Sequence, residues 1–302
     1  MPFAYPAQHL EGFMPLLHFI NTRGVPHSNK LWECPCTSAR RFNATAGTVD
    51  GVPVMPFHCS EELLAQHNPS CSLRTYKGGY RCCEHGVFLI ENPDTSERPD
   101  EIQAKFSFEY YTDETGLSLR STESVTCCDV TGSQGSGANR VKDTPNVEYD
   151  IPSCAAPPCE HVLTGVDVFD QPQSRNSSRH HHYDPDEEME LVHAWGHQHV
   201  AGLGLELRRE STGELLCSSQ PHYGNGSAAG NEKGFVVGIP PCVWGPPPLA
   251  PPPRVRRGEL MRTISRYNAS EHHTGVMGIW ILTAAPVKPS TAAHAGKERI
   301  LV

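Results

Sequence analysis

Short runs of Val, Ile, Leu, Phe and Tyr recur along the chain, separated by clusters of Gly, Pro, Asn and Ser. Runs of this length between turn-forming residues are typical of β-strands. The predicted strands are Phe13–Ile20, Tyr80–Glu91, Lys105–Thr112, Val125–Val130, Val147–Ile151, Leu191–His199, Leu203–Arg209, Glu214–Ser218, Phe235–Ile239, Glu259–Tyr267 and Val276–Thr283. Only Ser60–His67 has a helical pattern. The pattern predicts an all-β fold of antiparallel β-sandwich domains, similar to jelly rolls.

The sequence divides into two predicted β-sandwich domains and a tail. Residues 1–115 are expected to form the C-terminal part of a first, disulfide-rich sandwich, and residues 116–285 a second sandwich. The polar residues 286–302 are expected to be disordered. Long loops are predicted at Ser133–Thr144, Gln171–Glu188 and Pro246–Pro253. The proline-rich segment has a spacing compatible with polyproline II recognition, but a stiff surface insertion is the preferred interpretation.

Charge and composition exclude several classes of protein. The 302 residues carry a formal charge of −9, and the longest basic block is Arg254–Arg257. This balance argues against a nucleic-acid partner and against binding to an anionic membrane surface. The longest uncharged apolar stretch, Gly275–Val287, is too short to span a bilayer. With 26 Gly and 27 Pro, the chain is also a poor candidate for a helical bundle.

The cysteines and glycosylation motifs indicate an oxidising compartment. There are 12 cysteines, none with Cys-x-x-Cys spacing, at Cys34, Cys36, Cys59, Cys71, Cys82, Cys83, Cys127, Cys128, Cys154, Cys159, Cys217 and Cys242. An even number, together with Asn-x-Ser/Thr acceptor motifs at Asn43, Asn176, Asn225 and Asn268, favours structural disulfides in a secreted glycoprotein over buried thiols in a cytosolic one. The adjacent pairs Cys82–Cys83 and Cys127–Cys128 are each expected to bridge outward to other cysteines.

The N-terminal residues do not resemble a signal peptide. Met1–Ile20 lacks a basic start, and its apolar residues are interrupted by prolines, His9 and Glu11. Export is therefore either unconventional or directed by sequence upstream of Met1. We expect the second, with the chain beginning inside a longer protein.

One histidine cluster has the spacing of a metal site. In Leu191–His199, alternate residues share a face if the segment is a strand, so His197 and His199 would lie about 6–7 Å apart on that face. His193 would be about 13 Å from His197 and too far to share an ion. Buried, hydrogen-bonded histidines account for a His-x-His pair equally well. The His180–His182 triplet is interpreted as part of a solvated loop.

A second candidate ligand lies at the start of the last predicted strand. Met277 opens an otherwise apolar stretch, where a methionine is ordinarily a core residue. As a ligand, its thioether together with two imidazoles would suit copper, Cu(I) in particular. His273 is the reserve ligand because it is the histidine nearest to Met277, with Gly275 between them.

Several segments resemble the plant and algal stress up-regulated Nod 19 family. The similarity extends from about His18 to Leu282 and is carried by Leu17–Val25, Cys34–Cys36, Gly78–Cys83, His197–His199, Glu214–Pro221, Tyr223–Gly224, Ala229–Gly238 and His273–Gly278. That family is in turn distantly similar to the ascorbate-dependent type 2 copper monooxygenases that hydroxylate peptidylglycine or dopamine.

The resemblance implies two jelly-roll domains and two copper sites. The oxygen-activating copper of those enzymes is bound by a His-x-His strand and a Met, which match His197, His199 and Met277. Their electron-transfer copper is bound by an adjacent His-His pair and a later His. The later His matches His18, but no His-His pair precedes it. The sequence thus predicts one bound copper ion and one orphan ligand, His18.

Three functions remain open at this point. The first is a secreted, stress-related glycoprotein that binds one copper ion. The second is a copper monooxygenase whose first domain is truncated here, acting on a small molecule or peptide that the sequence does not identify. The third is a structural or defence glycoprotein without metal.

Overall fold

The fold was analysed in a computed structural model that describes residues 3–4, 42–43, 48–49, 52–53, 61–68, 101, 103–107, 119–125, 127–131, 148–169, 187–228 and 230–287. Most of the predicted first domain, the strands Phe13–Ile20 and Tyr80–Glu91, and the tail after Val287 therefore lie outside the described residues. The predicted loop Ser133–Thr144 also lies outside the described residues, as does the predicted loop Gln171–Glu188 up to Asp186. The division into domains stays a prediction.

The described residues form β-strands and one short helix. The strands are β1 (Phe3–Ala4), β2 (Phe42–Asn43), β3 (Thr48–Val49), β4 (Val52–Pro53), β5 (Arg120–Ser121), β6 (Glu123–Val125), β7 (Tyr149–Ile151), β8 (Glu160–Val168), β9 (Glu188–Gln198), β10 (Gly202–Arg209), β11 (Leu215–Ser219), β12 (His222–Tyr223), β13 (Val236–Gly238), β14 (Cys242–Val243), β15 (Arg254–Arg256), β16 (Leu260–Asn268), β17 (His273–Val276) and β18 (Gly278–Pro286). Helix α1 is Glu61–Ala65, inside the predicted helical segment. In the described part of the chain, no helix is long and apolar enough to cross a membrane.

Two antiparallel sheets pack together as a sandwich. One has four strands in the order β11-β10-β16-β8, and the other is built on β14-β9-β18-β6, with β15 also paired to β9. Smaller pairings join β1 to β5, β7 to β17, β12 to β13, and β2 to β3 to β4. The predicted all-β sandwich is confirmed.

The core has two parts, each built from inward-facing residues. The larger lies between the main sheets and includes Leu191, Leu205, Leu207, Met261, Trp280 and Leu282, all at most 1% exposed. The smaller lies at one end and includes Leu63, Val130, Tyr149, Leu163, Tyr267 and Val276. Burying each large apolar side chain stabilises the fold by roughly 1.5–3 kcal/mol. The smaller core supports the candidate site described below.

One edge of the sandwich is closed by the segment from 127 to 131. Cys128 and Trp280 exchange backbone hydrogen bonds, and the Val130 amide donates to the Gly278 carbonyl. Opposite this segment, a Cβ placed on Gly165 of β8 would lie 2.2 Å from the Val130 carbonyl oxygen. Only glycine allows so close an approach of the backbone to β8.

Several predicted strands need correction. The predicted strand Val125–Val130 divides into β6 and the irregular edge segment, and Val276–Thr283 divides at Met277 between β17 and β18. Lys105–Ser107 are exposed and lie outside any strand, and the rest of the predicted strand Lys105–Thr112 lies outside the described residues. The nine-residue β8 was missed. At the C-terminal end of the described chain, Pro286 ends β18 and the Val287 amide donates to the Glu188 carbonyl.

The proline-rich segment is a folded insertion on the edge of β9. It leaves β14 at Val243 and returns at β15, so both of its ends pair with the same strand. Within it, the Gly245 amide donates to Ala250 and the Leu249 amide to Pro246. The preferred interpretation, a surface insertion, fits this arrangement.

Three disulfides connect the six described cysteines of the sandwich. They pair Cys127 with Cys128, Cys154 with Cys159, and Cys217 with Cys242. The expectation that Cys127 and Cys128 bridge outward is wrong, because both are buried in the larger core and the other described cysteines are already paired. The Cys217–Cys242 bridge joins β11 to β14 and so links the two sheets. The remaining six cysteines, including Cys82 and Cys83, lie outside the described residues.

Gly165 provides a test of the closed edge. We expect Gly165→Ala to lower the free energy of unfolding by about 1–3 kcal/mol, because the new methyl group meets a backbone oxygen that cannot move aside. Gly238→Ala in β13 is the matched control, since its Cβ would meet no atom within 4 Å. Chemical denaturation measures both variants, and equal stabilities would contradict the close approach.

Asp129 makes the stability depend on pH. The carboxylate oxygen Oδ1 accepts hydrogen bonds from the Thr131 amide and hydroxyl, but burial raises the pKa of Asp129 from 3.8 to about 7. Between these values the folded state retains a proton that the unfolded state has lost. The free energy of unfolding therefore falls as the pH rises through this window, by up to about 1.4 kcal/mol per pH unit.

Asp129→Asn tests this linkage, because it keeps an oxygen for Thr131 and removes the titration. We expect the variant to lose less stability than the wild type between about pH 5 and about pH 7. Denaturant unfolding at a series of pH values measures the difference. Parallel pH profiles for the two proteins would show that Asp129 does not contribute.

Candidate metal centre

The two candidate histidines lie together at one end of β9. Burial alternates along this strand, with Ala194, Gly196 and Gln198 facing inward. The prediction that His197 and His199 share the outer face is confirmed, and both are half-buried. Their ring centres are 5.3 Å apart with perpendicular planes.

The candidate methionine lies beside this pair because β18 is the antiparallel neighbour of β9. Ile279 pairs with His197, and Gly278 pairs with Gln198. Met277 and His199 are the residues next to this last pair, just outside the two strands. Extending the alternation of β18 by one residue would turn the Met277 side chain to the outer face, and Met277 is half-buried, as the two histidines are.

A tyrosine from the opposite sheet joins the two ligand-bearing segments. The backbone amide of His199 donates to the Tyr267 hydroxyl at 2.9 Å, and this hydroxyl donates to the Met277 carbonyl at 2.6 Å. Tyr267 is in β16 and is completely buried. One hydroxyl group therefore contacts the backbone of both candidate ligands.

The residue between the two histidines is anchored from inside the sandwich. Gln198 is buried, and its Nε2 donates to the Ser265 hydroxyl at 2.9 Å and to the Arg266 carbonyl at 3.2 Å. A Cβ on Gly202 would lie 2.9 Å from the Gln198 side chain, so the glycine leaves room for it. These contacts fix the end of β9 from which the histidines project.

The separation of the imidazoles can be compared with metal geometry. If one nitrogen of each ring faced the same ion at about 2 Å, the ion would lie roughly 3.2 Å from each ring centre. Ring centres 5.3 Å apart then correspond to an angle of roughly 110° at the ion, close to tetrahedral. The donor set and this spacing fit a shared ion.

Among the residues that the structure describes, no third histidine or acidic ligand completes the pair. Among the described residues, His, Cys, Asp and Glu side chains form no cluster of three that could bind a metal. The reserve ligand His273 is in β17, where it pairs with Ile151 of β7. The orphan ligand His18 and the His180–His182 loop lie outside the described residues. Met277 stays the candidate third ligand that the sequence predicts.

Apolar side chains adjoin the histidines on the same outer face. Trp195 is 43% exposed, two residues before His197, and its partner Ile281 on β18 is 44% exposed. Side chains of this size are usually buried. They provide an apolar surface next to the candidate ligands.

A polar cavity of about 410 Å³ lies elsewhere and does not compete with this site. Its lining residues are Glu188, Arg209, Arg254, Val255, Arg256 and Glu259. Glu188 begins β9, nine residues and about 30 Å from His197 along the strand. Arg209 is already paired with Glu214 and Glu259.

Sequence reasoning found the three candidate ligands but missed Tyr267 and Gln198. Both residues appear in the sequence as ordinary members of strands. A signal was present in the alternation of β16, which places the polar Ser265 and Tyr267 on the buried face. Buried polar groups need partners, and here those partners are the segments that carry the candidate ligands.

Comparison with known protein families matches residues 2–286 to the family described as Stress up-regulated Nod 19. The match spans nearly the whole chain and confirms the resemblance identified from the sequence motifs. Comparison with curated proteins gave no match.

Proposed function

Because the chain belongs to the stress up-regulated Nod 19 family, we propose that it is a secreted, glycosylated protein that binds one copper ion through His197, His199 and Met277. The observation that carries this proposal is the 5.3 Å separation of the His197 and His199 ring centres at the end of β9. The backbone of Met277, which directly precedes β18, is joined to that of His199 through the Tyr267 hydroxyl. The distant similarity of the family to type 2 copper enzymes points to the same residues.

The donor set favours copper over other metals. Two imidazoles and a thioether suit Cu(I), whereas calcium and magnesium require oxygen ligands. Zinc sites ordinarily use additional His, Cys or carboxylate ligands, and the described residues offer no such group of three. A copper ion bound here would supply a one-electron redox centre with a coordination position open to solvent.

The copper site is tested by anaerobic titration of the full chain with Cu(I). We expect wild-type Kd below about 1 μM and a loss of affinity in His197→Ala, His199→Ala and Met277→Ile. Removing a direct ligand should cost more than the roughly 10–100-fold typical of outer-sphere partners. Zn(II) affinity should respond to the histidine variants but not to Met277→Ile, because the thioether is a soft ligand.

Two variants serve as controls for this titration. His193→Ala removes an imidazole from the same face of β9 and should leave the affinity unchanged, since its position in the strand is too far from His199 to share an ion. Replacing His180–His182 by alanine removes the histidine-rich loop. Binding that survives all three ligand substitutions but disappears with the loop would overturn the proposed site.

A copper monooxygenase is the second candidate function. The exposed Trp195 and Ile281 favour it, because an apolar surface beside a metal with an open position could orient an apolar substrate. Oxygen consumption with ascorbate, compared between wild type and His199→Ala, distinguishes an enzyme from a binding protein.

The described disulfides and acceptor asparagines support the secretory part of the proposal. Disulfides persist in oxidising compartments. Asn225 and Asn268 are exposed, and their Oδ1 atoms accept hydrogen bonds from Asn231 and from the Ser270 amide. Glycan attaches through Nδ2, which these bonds do not use. Asn176 lies outside the described residues, as does the side chain of Asn43.

Mass spectrometry of material secreted from a eukaryotic host tests the compartment. We expect all three described disulfides without reduction, and glycan on Asn225 or Asn268. Replacing Cys217 and Cys242 together by alanine should lower the free energy of unfolding by roughly 3 kcal/mol, because their bridge closes a long loop between the sheets. Free thiols and unmodified asparagines would contradict the secretory assignment.

A further inference from the structure

We propose that Tyr267 is a positioning residue, which sets Met277 against the His197–His199 pair through its hydroxyl group. This inference rests on the proposed copper site and adds to it a residue that contacts neither the ion nor its ligand atoms. Under this inference, part of the Cu(I) affinity comes from the three donors themselves, and part comes from their being placed together before the ion binds.

The hydroxyl of Tyr267 is the direct link between the two segments. It accepts from the amide of His199, at the first residue after β9, and donates to the carbonyl of Met277, at the break between β17 and β18. Both contacts are to backbone atoms. They therefore set the positions from which the side chains project, whatever rotamers those side chains adopt.

Tyr267 is itself firmly placed by the smaller core. Its ring packs edge-to-face on Tyr149, with ring centres 6.1 Å apart and planes at 90°. Its side chain is completely buried, and burial raises the pKa of Tyr267 well above its usual value. The hydroxyl serves as acceptor for the His199 amide and as donor to the Met277 carbonyl at once.

The position of Met277 depends on its hydrogen bond with the Tyr267 hydroxyl, because Met277 itself is not part of any described strand. β17 before it pairs with β7, whereas β18 after it pairs with β9. Met277 thus lies between the segment that pairs with β7 and the segment that pairs with β9. Gly278 packs so closely on β16 that its Cβ would lie 2.7 Å from the Ser265 hydroxyl oxygen. The close packing brings the chain within reach of Tyr267, and the hydroxyl then fixes the Met277 carbonyl.

The substitution Tyr267→Phe removes the hydroxyl group that joins the two segments and keeps the aromatic ring. We expect Cu(I) affinity to fall roughly 10–100-fold, as for other groups that orient metal ligands. Tyr149→Phe is the matched control, because it also removes one buried tyrosine hydroxyl, which donates to Ser265. We expect its Cu(I) affinity to stay within about threefold of wild type, a change of less than 1 kcal/mol.

A double-mutant cycle with Met277→Ile distinguishes positioning from general destabilisation. If Tyr267 acts through Met277, the double variant Tyr267→Phe/Met277→Ile binds Cu(I) no more weakly than Met277→Ile alone. X-ray absorption at the copper edge gives an independent readout, in which Tyr267→Phe loses the sulfur contribution seen in wild type and retains the imidazole contribution. Thermal unfolding of each variant accompanies the titrations.

The results that would contradict the positioning role of Tyr267 differ from one another in their cause. If the losses of Cu(I) affinity in the double-mutant cycle are additive, the Tyr267 hydroxyl does not position Met277. Sulfur scattering that is unchanged in Tyr267→Phe would show the same. An equal loss of affinity in Tyr149→Phe would assign the effect to core stability. Absence of Cu(I) binding in the wild type would overturn the copper site and this inference together.

Discussion

The pairing of β9 with β18 is the constraint on which the rest of the sandwich depends. These strands form the centre of the larger sheet, and their register decides which residues enter the core. Trp280 and Leu282 point inward between the sheets, while Ile279 and Ile281 stay on the outer face. A shift by one residue would reverse every side chain. The same register places Gly278 opposite Gln198, and Met277 and His199 are the next residues of each segment, so one alignment bears on both the core packing and the candidate site.

The sheet that contains β16 contributes polar rather than apolar contacts at the end of β9 that carries the candidate histidines. Ser265 and Tyr267 are buried side chains, and a buried hydroxyl destabilises the fold unless it finds a partner. Their partners are Gln198, the His199 amide and the Met277 carbonyl. Such contacts add specificity, because only one relative placement of the two sheets satisfies them together. A site on the outer surface is thereby coupled to the interior.

The parts of this structure that follow a local pattern could be predicted from the sequence. Leu191–His199 was identified as a strand from its composition, and the period of two in a strand placed His197 and His199 on one face, whereas β8 was missed because Thr164 and Gly165 interrupt its apolar residues. Relations between distant segments were not predictable. Nothing local indicates that Cys127 and Cys128 pair with each other, or that Tyr267 reaches across the sandwich. These depend on which backbones approach closely in three dimensions.

The proline-rich insertion has a consequence for how the molecule behaves at high concentration. Between the end of β14 and the start of β15, the chain that borders β9 on the side opposite β18 contains six prolines in eight residues. A proline offers no amide hydrogen, so a strand from another molecule finds few donors along this border. Growth of the sheet by intermolecular strand addition is disfavoured there. The insertion thus protects a long, hydrophobic central strand from serving as a template for fibrils.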